Sequence, residues 1–189
     1  SELSGRGNLL SKAEEYGLEF EQGDEVAGVL NEIKALEAQG FAFEAAEASV
    51  ALMMKRQEAT YTAPFEMVDF TCNVEHRRGR GIFAEATVKL RLPSGEVLHT
   101  VAEGNGPVNA LDKALRKALE PGYPALKDLQ LADYKVRILD NNATGAVTRV
   151  LIDTQSKHKR WTTVGASPNI IEASWRALSD AMEYGLVMA

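Results

Sequence analysis

The chain matches itself at a fixed offset, and this internal repeat restricts the possible folds more than any other feature. A shift of 63 positions places Thr100-Val101 on Thr163-Val164, and a shift of 64 places Asp69-Phe70 on Asp133-Tyr134. The shift of 63 also superimposes two series of alanines, Ala110, Ala114 and Ala118 on Ala173, Ala177 and Ala181. A period this long that occurs only twice is typical of a duplicated unit and not of a solenoid.

Each copy of the repeat is predicted to contain three strands followed by a helix. β-branched and aromatic residues alternate with polar ones after Tyr61, and turn residues separate the runs. The predicted strands are Phe65 to Val74, Gly81 to Leu92, Val97 to Ala102, Tyr134 to Leu139, Ala146 to Thr154 and Arg160 to Val164. The predicted helices are Val108 to Leu119 and Asn169 to Tyr184. We therefore expect an α+β fold in which two βββα units pack together with pseudo-twofold symmetry.

The first 58 residues have a different pattern, which predicts helices. Apolar residues recur at three- and four-residue spacing from Asp24 to Gln39, with Asp24 as N-cap and Gly40 as the stop. A second helix is predicted from Phe43 to Gln57. A loop at Ser4 to Asn8 is expected to lead into a short helix from Leu9 to Tyr16.

Two domains follow from this change of pattern. We expect helical linker subdomains at residues 1–58 and the duplicated βββα domain at residues 59–189. The repeats of the second domain span about 61–124 and 125–189, with a turn predicted at residues 141–145.

Charge and composition argue against several classes of protein. The net charge of −6 does not favour nucleic-acid binding, which depends on clustered cations. No apolar run approaches the roughly 20 residues that span a bilayer, and the polar first residues do not resemble a signal peptide. The single cysteine, Cys72, fits a reducing compartment, so we expect a cytoplasmic protein without a membrane partner.

Residues that could carry catalysis are few and scattered. His76, His99 and His158 lie far apart in the sequence, and Cys72 has no basic neighbour that would activate its thiol. No metal-binding spacing of histidines or cysteines is found. The basic run from His76 to Gly81 is interpreted as a solvated hairpin tip, because it lacks interleaved aromatic residues.

The two equivalent strand-to-helix corners are the candidate binding elements. They are Ala102 to Ala110 and Gly165 to Ala173. Glycines allow a ligand to approach the backbone, and a helix N-terminus offers N–H donors that suit a carboxylate. Two such corners around a pseudo-twofold axis would form one pocket for a small zwitterion. Helix caps without any ligand are the simpler alternative.

Three motifs resemble the C-terminal allosteric domain that 2-isopropylmalate synthases and citramalate synthases share. They are Gly104 to Ala110 with the alanine-rich helix that follows, Asp133 to Ile138, and Thr163 to Ser174. The resemblance covers residues 61–189 and implies a duplicated βββα architecture. Residues 1–58 resemble the linker subdomains of the same enzymes, and the first motif is most similar to the citramalate synthase branch.

The resemblance implies that the chain is the regulatory and dimerisation region of an acyltransferase. In that family a catalytic barrel precedes these segments and condenses acetyl-CoA with a 2-oxo acid, using a divalent metal. That barrel is absent from this sequence, so the fragment alone is expected to be inactive, to need no cofactor and to form a homodimer. The linker residues Ser4, Gly5, Arg6 and Asn8 are implied to reach the partner subunit's active site.

The resemblance also implies a pocket for a branched-chain amino acid that acts as feedback inhibitor. Isoleucine is favoured, because the linker resembles that of citramalate synthases, and leucine is next. The implied effector-binding residues are Val108, Asn109, Leu131, Tyr134, Ile138, Val147, Pro168 and Ile170. Val108 and Asn109 replace an aromatic–acid pair typical of some citramalate synthases. A purely structural dimerisation module and a free-standing enzyme are the alternatives.

Overall fold

The computed structural model of the chain describes residues 2–18, 23–139 and 146–189, with side chains from residue 7 onward. The turn predicted at residues 141–145 and the side chains of Ser4, Gly5 and Arg6 lie outside the described residues. The helices are α1 (Glu2–Glu15), α2 (Asp24–Glu37), α3 (Glu47–Lys55), α4 (Pro107–Leu119) and α5 (Ile170–Val187), with a short 3-10 helix at Pro124–Asp128. The strands are β1 (Glu66–Arg77), β2 (Gly81–Arg91), β3 (Val97–Gly104), β4 (Gln130–Ile138), β5 (Thr148–Gln155) and β6 (Arg160–Ser167).

The strands form two antiparallel three-stranded sheets, in the orders β1-β2-β3 and β4-β5-β6. The first strand of each sheet is irregular at the same place, between Met67 and Asp69 in one and between Leu131 and Asp133 in the other. These positions are 64 residues apart, which is one of the two offsets found in the sequence. The α+β fold with a duplicated βββα unit is thus confirmed.

The helix of each repeat packs on its own sheet through the aligned alanines. Thr100 Oγ1 donates a hydrogen bond of 2.7 Å to the carbonyl oxygen of Ala114, and Thr163 Oγ1 donates one of 2.6 Å to that of Ala177. The two threonines are 63 residues apart, as are the two alanines. Small side chains allow each helix backbone to come this close to a strand, which explains why both series of alanines are buried.

A single hydrophobic core joins the two repeats. α4 contacts β2 and β3, whereas α5 contacts β5 and β6. Phe70 of β1 stacks on Trp175 of α5 with ring centroids 5.2 Å apart, so the helix of the second repeat also covers part of the first sheet. Because the two repeats share this core, each three-stranded sheet is stabilised by the other repeat and does not have to be stable alone.

The helical segment before Tyr61 covers the outer face of the second sheet. Val164 and Ala166 of β6 are buried in a cluster with Leu9, Val29 and other residues of α1 to α3. Arg149 of β5 donates a 2.7 Å hydrogen bond to the carbonyl oxygen of Gly40. This helical segment before Tyr61, called the linker segment below, is therefore attached to the second repeat.

The loop predicted at Ser4 to Asn8 is wrong, because α1 already begins at Glu2. The two glycines in this stretch suggested a loop, but a glycine costs a helix only about 1 kcal/mol. Leu9 and Ala13, four residues apart, are buried against the other helices and stabilise the whole element.

Other predicted boundaries also change. The N-cap of α2 is Gly23, with φ of 127°, and not Asp24, which lies in the first turn. α3 begins at Glu47 and not at Phe43, because Phe43 stacks on Phe41 with a centroid distance of 5.9 Å outside the helix. β4 begins at Gln130, before the predicted Tyr134, since the irregularity at Leu131 lets the strand continue.

Candidate functional site

The inner face of β4 is apolar and largely uncovered. Tyr134, Val136 and Ile138 are 37%, 41% and 71% exposed, although they pair with residues of β5 whose side chains point into the core or towards it. The equivalent strand of the first repeat also leaves Val74 of the same face exposed. Apolar side chains on the core side of a sheet that no helix covers are typical of a surface that meets a ligand or a second subunit.

At the first corner the helix N-terminus keeps backbone donors available. The N-cap of α4 is Gly106, which has no side chain to cap the helix, and Pro107 occupies the first turn. The N–H groups of Val108 and Asn109 have no acceptor within the helix, because the first helical bond is made by Ala110 to the Gly106 carbonyl. Donors of this kind, at the positive end of a helix, suit a carboxylate.

Asn109 also shapes this corner. Its Oδ1 accepts a 3.1 Å hydrogen bond from the backbone N–H of Asn105. A Cβ atom on Gly104 would lie only 2.5 Å from the Ala110 nitrogen, so glycine is needed where β3 approaches α4. The corner is therefore a tight, defined turn and not a variable loop.

The second corner is capped, which corrects the expectation that both corners supply free donors. Asn169 Oδ1 accepts hydrogen bonds from the N–H groups of Ile171 (2.8 Å) and Glu172 (3.2 Å). The Asn169 N–H in turn donates to Ser167 Oγ at 3.1 Å. Because the cap residue here is asparagine, whose side chain accepts from the first turn, these backbone donors are already used.

Tyr134 connects the uncovered strand to the first turn of α5. Its hydroxyl lies 2.8 Å from Ser174 Oγ, and Ser174 Oγ donates to the carbonyl oxygen of Ile170 at 2.7 Å. Since the serine proton is used in that bond, Tyr134 is the donor to Ser174. Ile170, itself 44% exposed, is thereby linked to β4.

The structure brings some of the predicted effector residues together and leaves others on separate elements. Val147 and Pro168 line one cavity of about 320 Å³. Tyr134 and Ile138 lie on the uncovered face of β4, and Leu131 of the same strand is half-buried against the core. Val108 and Asn109 belong to the first corner, on the other helix.

Sequence reasoning missed a charged pair at the second corner. Arg176 and Glu172 form an ion pair at 3.3 Å one turn apart, and Glu172 Oε2 accepts a 2.8 Å hydrogen bond from Ser167. The guanidinium of Arg176 also lies 5.6 Å from the ring of Phe41 in the linker segment. The signal available was the four-residue spacing of opposite charges on a predicted helix.

Neither a metal-binding cluster nor an activated cysteine is found in the part of the chain that the structure describes. Across residues 2–18, 23–139 and 146–189, no three His, Cys, Asp or Glu side chains are placed to hold a metal ion. Burial raises the pKa of the Cys72 thiol to about 11, which disfavours a nucleophilic thiolate.

The exposed side chains of the basic hairpin include Arg77, which pairs with Glu75 and lies over the Phe83 ring. None of the helices in the described ranges is long and apolar enough to cross a membrane.

The duplicated βββα fold with its uncovered apolar strands is that of a regulatory dimerisation domain. Residues 44–186 match the LeuA allosteric (dimerisation) domain, and the chain belongs to this family. The match begins within the linker segment, before α3, and extends into α5.

Similar proteins are citramalate synthases and, at lower identity, isopropylmalate synthases. The chain is 48% identical to an (R)-citramalate synthase of Geobacter sulfurreducens and 46% identical to one of Aquifex aeolicus, over 98% and 99% of its length. It is 30% identical to a 2-isopropylmalate synthase of Thermus thermophilus over 94% of its length. It spans 36% of each citramalate synthase and 50% of the isopropylmalate synthase.

Proposed function

We propose that this chain is the regulatory and dimerisation region of a citramalate synthase-like acyltransferase, and that it binds a branched-chain amino acid as feedback inhibitor. The family match and the identity to citramalate synthases support the first part. The uncovered apolar face of β4, which Tyr134 links to the start of α5, is the observation that carries the second. The reaction itself, with acetyl-CoA and a divalent metal, is assigned to a catalytic barrel outside this chain.

The chemistry of the proposed pocket fits an aliphatic amino acid. Leu131, Ile138, Val147 and Ile170 offer aliphatic surface, and each buried methylene contributes about 0.8 kcal/mol. The uncapped N–H groups of Val108 and Asn109 would hold the carboxylate. Isoleucine is the favoured effector and leucine the next, although a single displaced methyl group changes affinity by only about 1–3 kcal/mol.

Regulation would require that the effector prefer one of two arrangements of the domain. α3 contacts both β6 and α5, and Arg176 of α5 lies over the ring of Phe41 in the linker. A ligand that moves the first turn of α5 would therefore also move the linker segment, which precedes the domain in the chain. In this way the pocket would influence the catalytic barrel, which we place before the linker.

A thermal-shift screen over the twenty amino acids tests the proposed binding. Isoleucine at one hundred times its Kd should add about 2.7 kcal/mol to the free energy of unfolding. For a chain of this size the expected rise in Tm is about 5–10 °C. Tyr134→Ala should abolish the shift, because it removes both an apolar wall and the bond to Ser174.

Lys135→Ala is the matched control, since Lys135 lies next to Tyr134 on the opposite face of β4 and its side chain is 68% exposed. This variant should keep the full shift. An unchanged Tm with all twenty amino acids, in a folded dimeric protein, would leave the purely structural dimerisation module as the better account.

Dimerisation is expected to depend on the uncovered strands. Ile138→Glu places a charge on a residue that is 71% exposed in one chain, so the fold should persist while the dimer dissociates. Sedimentation equilibrium should show a dimer for the unaltered chain and a monomer for Ile138→Glu. Lys135→Glu, on the outer face of the same strand, is the control and should remain dimeric. A dimer in both variants would exclude this face as the interface.

A further inference from the structure

A second, larger cavity lies between β1 and the first turns of α5. Its volume is about 570 Å³, and it shares only residues of the second corner with the site described above. Apolar and polar side chains share its wall. The residues that line it are Met67, Phe70, Cys72, Asn169, Ile171, Glu172, Trp175 and Arg176.

The internal repeat relates this cavity to the proposed effector pocket. The offset of 64 carries Leu131 and Tyr134 back onto Met67 and Phe70, and the offset of 63 carries Val108 and Asn109 forward onto Ile171 and Glu172. All four repeat mates line the cavity. The cavity therefore occupies, in the other half of the duplicated fold, the place that β4 and the first corner would have in the proposed effector pocket, so this comparison rests on the proposed function.

We propose that this cavity is a second amino-acid-binding site, which takes a free α-amino acid with a large apolar side chain. The two sites use different residues at their centres. Binding of a ligand at one site therefore does not require binding at the other.

The polar ends of such a ligand meet two complementary side chains. Glu172 and Arg176 are 48% and 40% exposed, so the ion pair between them contributes little to stability. An amino acid that inserts between them exchanges one exposed ion pair for two, its ammonium on Glu172 and its carboxylate on Arg176. At the second corner the backbone N–H donors are already bonded to Asn169 Oδ1, so Arg176 takes the role that the backbone donors have at the first corner.

The apolar end of the ligand meets an aromatic floor. Phe70 and Trp175 are stacked, and Met67 is 41% exposed at the rim. Flat aromatic rings and a flexible thioether contact large side chains more fully than small ones. Phenylalanine, methionine and leucine are therefore expected to bind here better than alanine or glycine.

Cys72 provides a direct reporter, because it is the single cysteine of the chain and lines this cavity. Alkylation by a maleimide at pH 8.5 is slow, since burial raises the pKa of the thiol to about 11, and it can be followed by mass spectrometry. Phenylalanine at ten times its Kd should lower the rate about tenfold. Methionine or leucine should do the same, and glycine should not.

Variants separate recognition of the amino acid from mere obstruction. Arg176→Gln and Glu172→Gln change exposed side chains and should abolish the protection. Lys113→Gln, at the repeat mate of Arg176 on α4, is the matched control and should keep it. Tyr134→Ala should also keep it while losing the isoleucine-dependent Tm shift, which distinguishes the two sites.

Glu172 and Arg176 also border the smaller cavity of Val147 and Pro168, so a further variant is needed. Met67→Trp fills the larger cavity alone, and calorimetry should then show loss of phenylalanine binding with isoleucine binding unchanged. Three results would overturn the proposal. They are the absence of protection of Cys72 by any of the twenty amino acids, protection that survives in Arg176→Gln, and protection that changes with protein concentration but not with amino-acid concentration.

Discussion

Gly165→Ala is expected to destabilise the domain by at least about 3 kcal/mol. A Cβ atom at this position of β6 would lie 2.0 Å from the carbonyl oxygen of Ala173 and 2.9 Å from the nitrogen of Ala177. Both are backbone atoms of α5, so no side chain can move aside, and the helix itself would have to move away from its sheet. Urea denaturation measures the loss as a lower free energy of unfolding at unchanged m-value.

Gly28→Ala is the matched control for that substitution. Gly28 lies inside α2, where the nearest atom to an added Cβ would be Gln57 Oε1 at 3.8 Å. Alanine is the better helix former, so this variant should gain about 0.5–1 kcal/mol. Equal stability of Gly165→Ala and the unaltered chain would show that α5 does not pack against β6 as described.

Arg56→Met is expected to cost about 2–4 kcal/mol, because it leaves two carboxylates without their cation. Arg56 bonds to Asp180 at 2.8 Å and also pairs with Glu183, which accepts a further hydrogen bond from Tyr61. The expected loss lies below that for a fully buried pair, because the Arg56 side chain is 36% exposed. Ser49 adds a 3.3 Å bond to Asp180, so the network joins α3 to α5.

The loss in Arg56→Met should depend on pH. Burial raises the pKa of Asp180, and Arg56 opposes that rise, so the pKa is higher still without the guanidinium. An acid whose pKa is higher in the folded state than in the unfolded state loses stability as pH rises between the two values. The deficit of the variant should therefore be smaller at pH 4.5 than at pH 8 in chemical denaturation.

Arg160→Met provides the comparison, since Arg160 pairs with Asp153 at 2.9 Å but its side chain is 58% exposed. Removal of this cation should cost less than about 1 kcal/mol. Comparable losses in the two variants, or a deficit in Arg56→Met that does not change with pH, would contradict the account of the α3–α5 network.

The duplication could be predicted from sequence, because it depends on local patterns. Strand alternation and the alanine series each recur within one element, and the bonds from Thr100 and Thr163 to helix carbonyls follow from them. The hydrogen bonds of Arg56 could not be predicted from the sequence. Its partners are 124 and 127 residues away, and the contact depends on how the linker segment packs.

The candidate site was predicted only in part for the same reason. The two corners follow from the repeat and the β4 positions were implied by the family resemblance, but the cap at Asn169 and the Tyr134–Ser174 bond depend on side-chain geometry. The larger cavity corresponds to the proposed effector pocket only through the internal repeat. Only the structure shows that the space beside Phe70 and Trp175 is open.

Calorimetric titration of the chain with isoleucine tests the proposed regulatory function most directly. The account predicts a saturable heat with isoleucine that Tyr134→Ala abolishes and Lys135→Ala preserves. The absence of a saturable heat with both isoleucine and leucine, in a protein shown to be folded and dimeric, would contradict it.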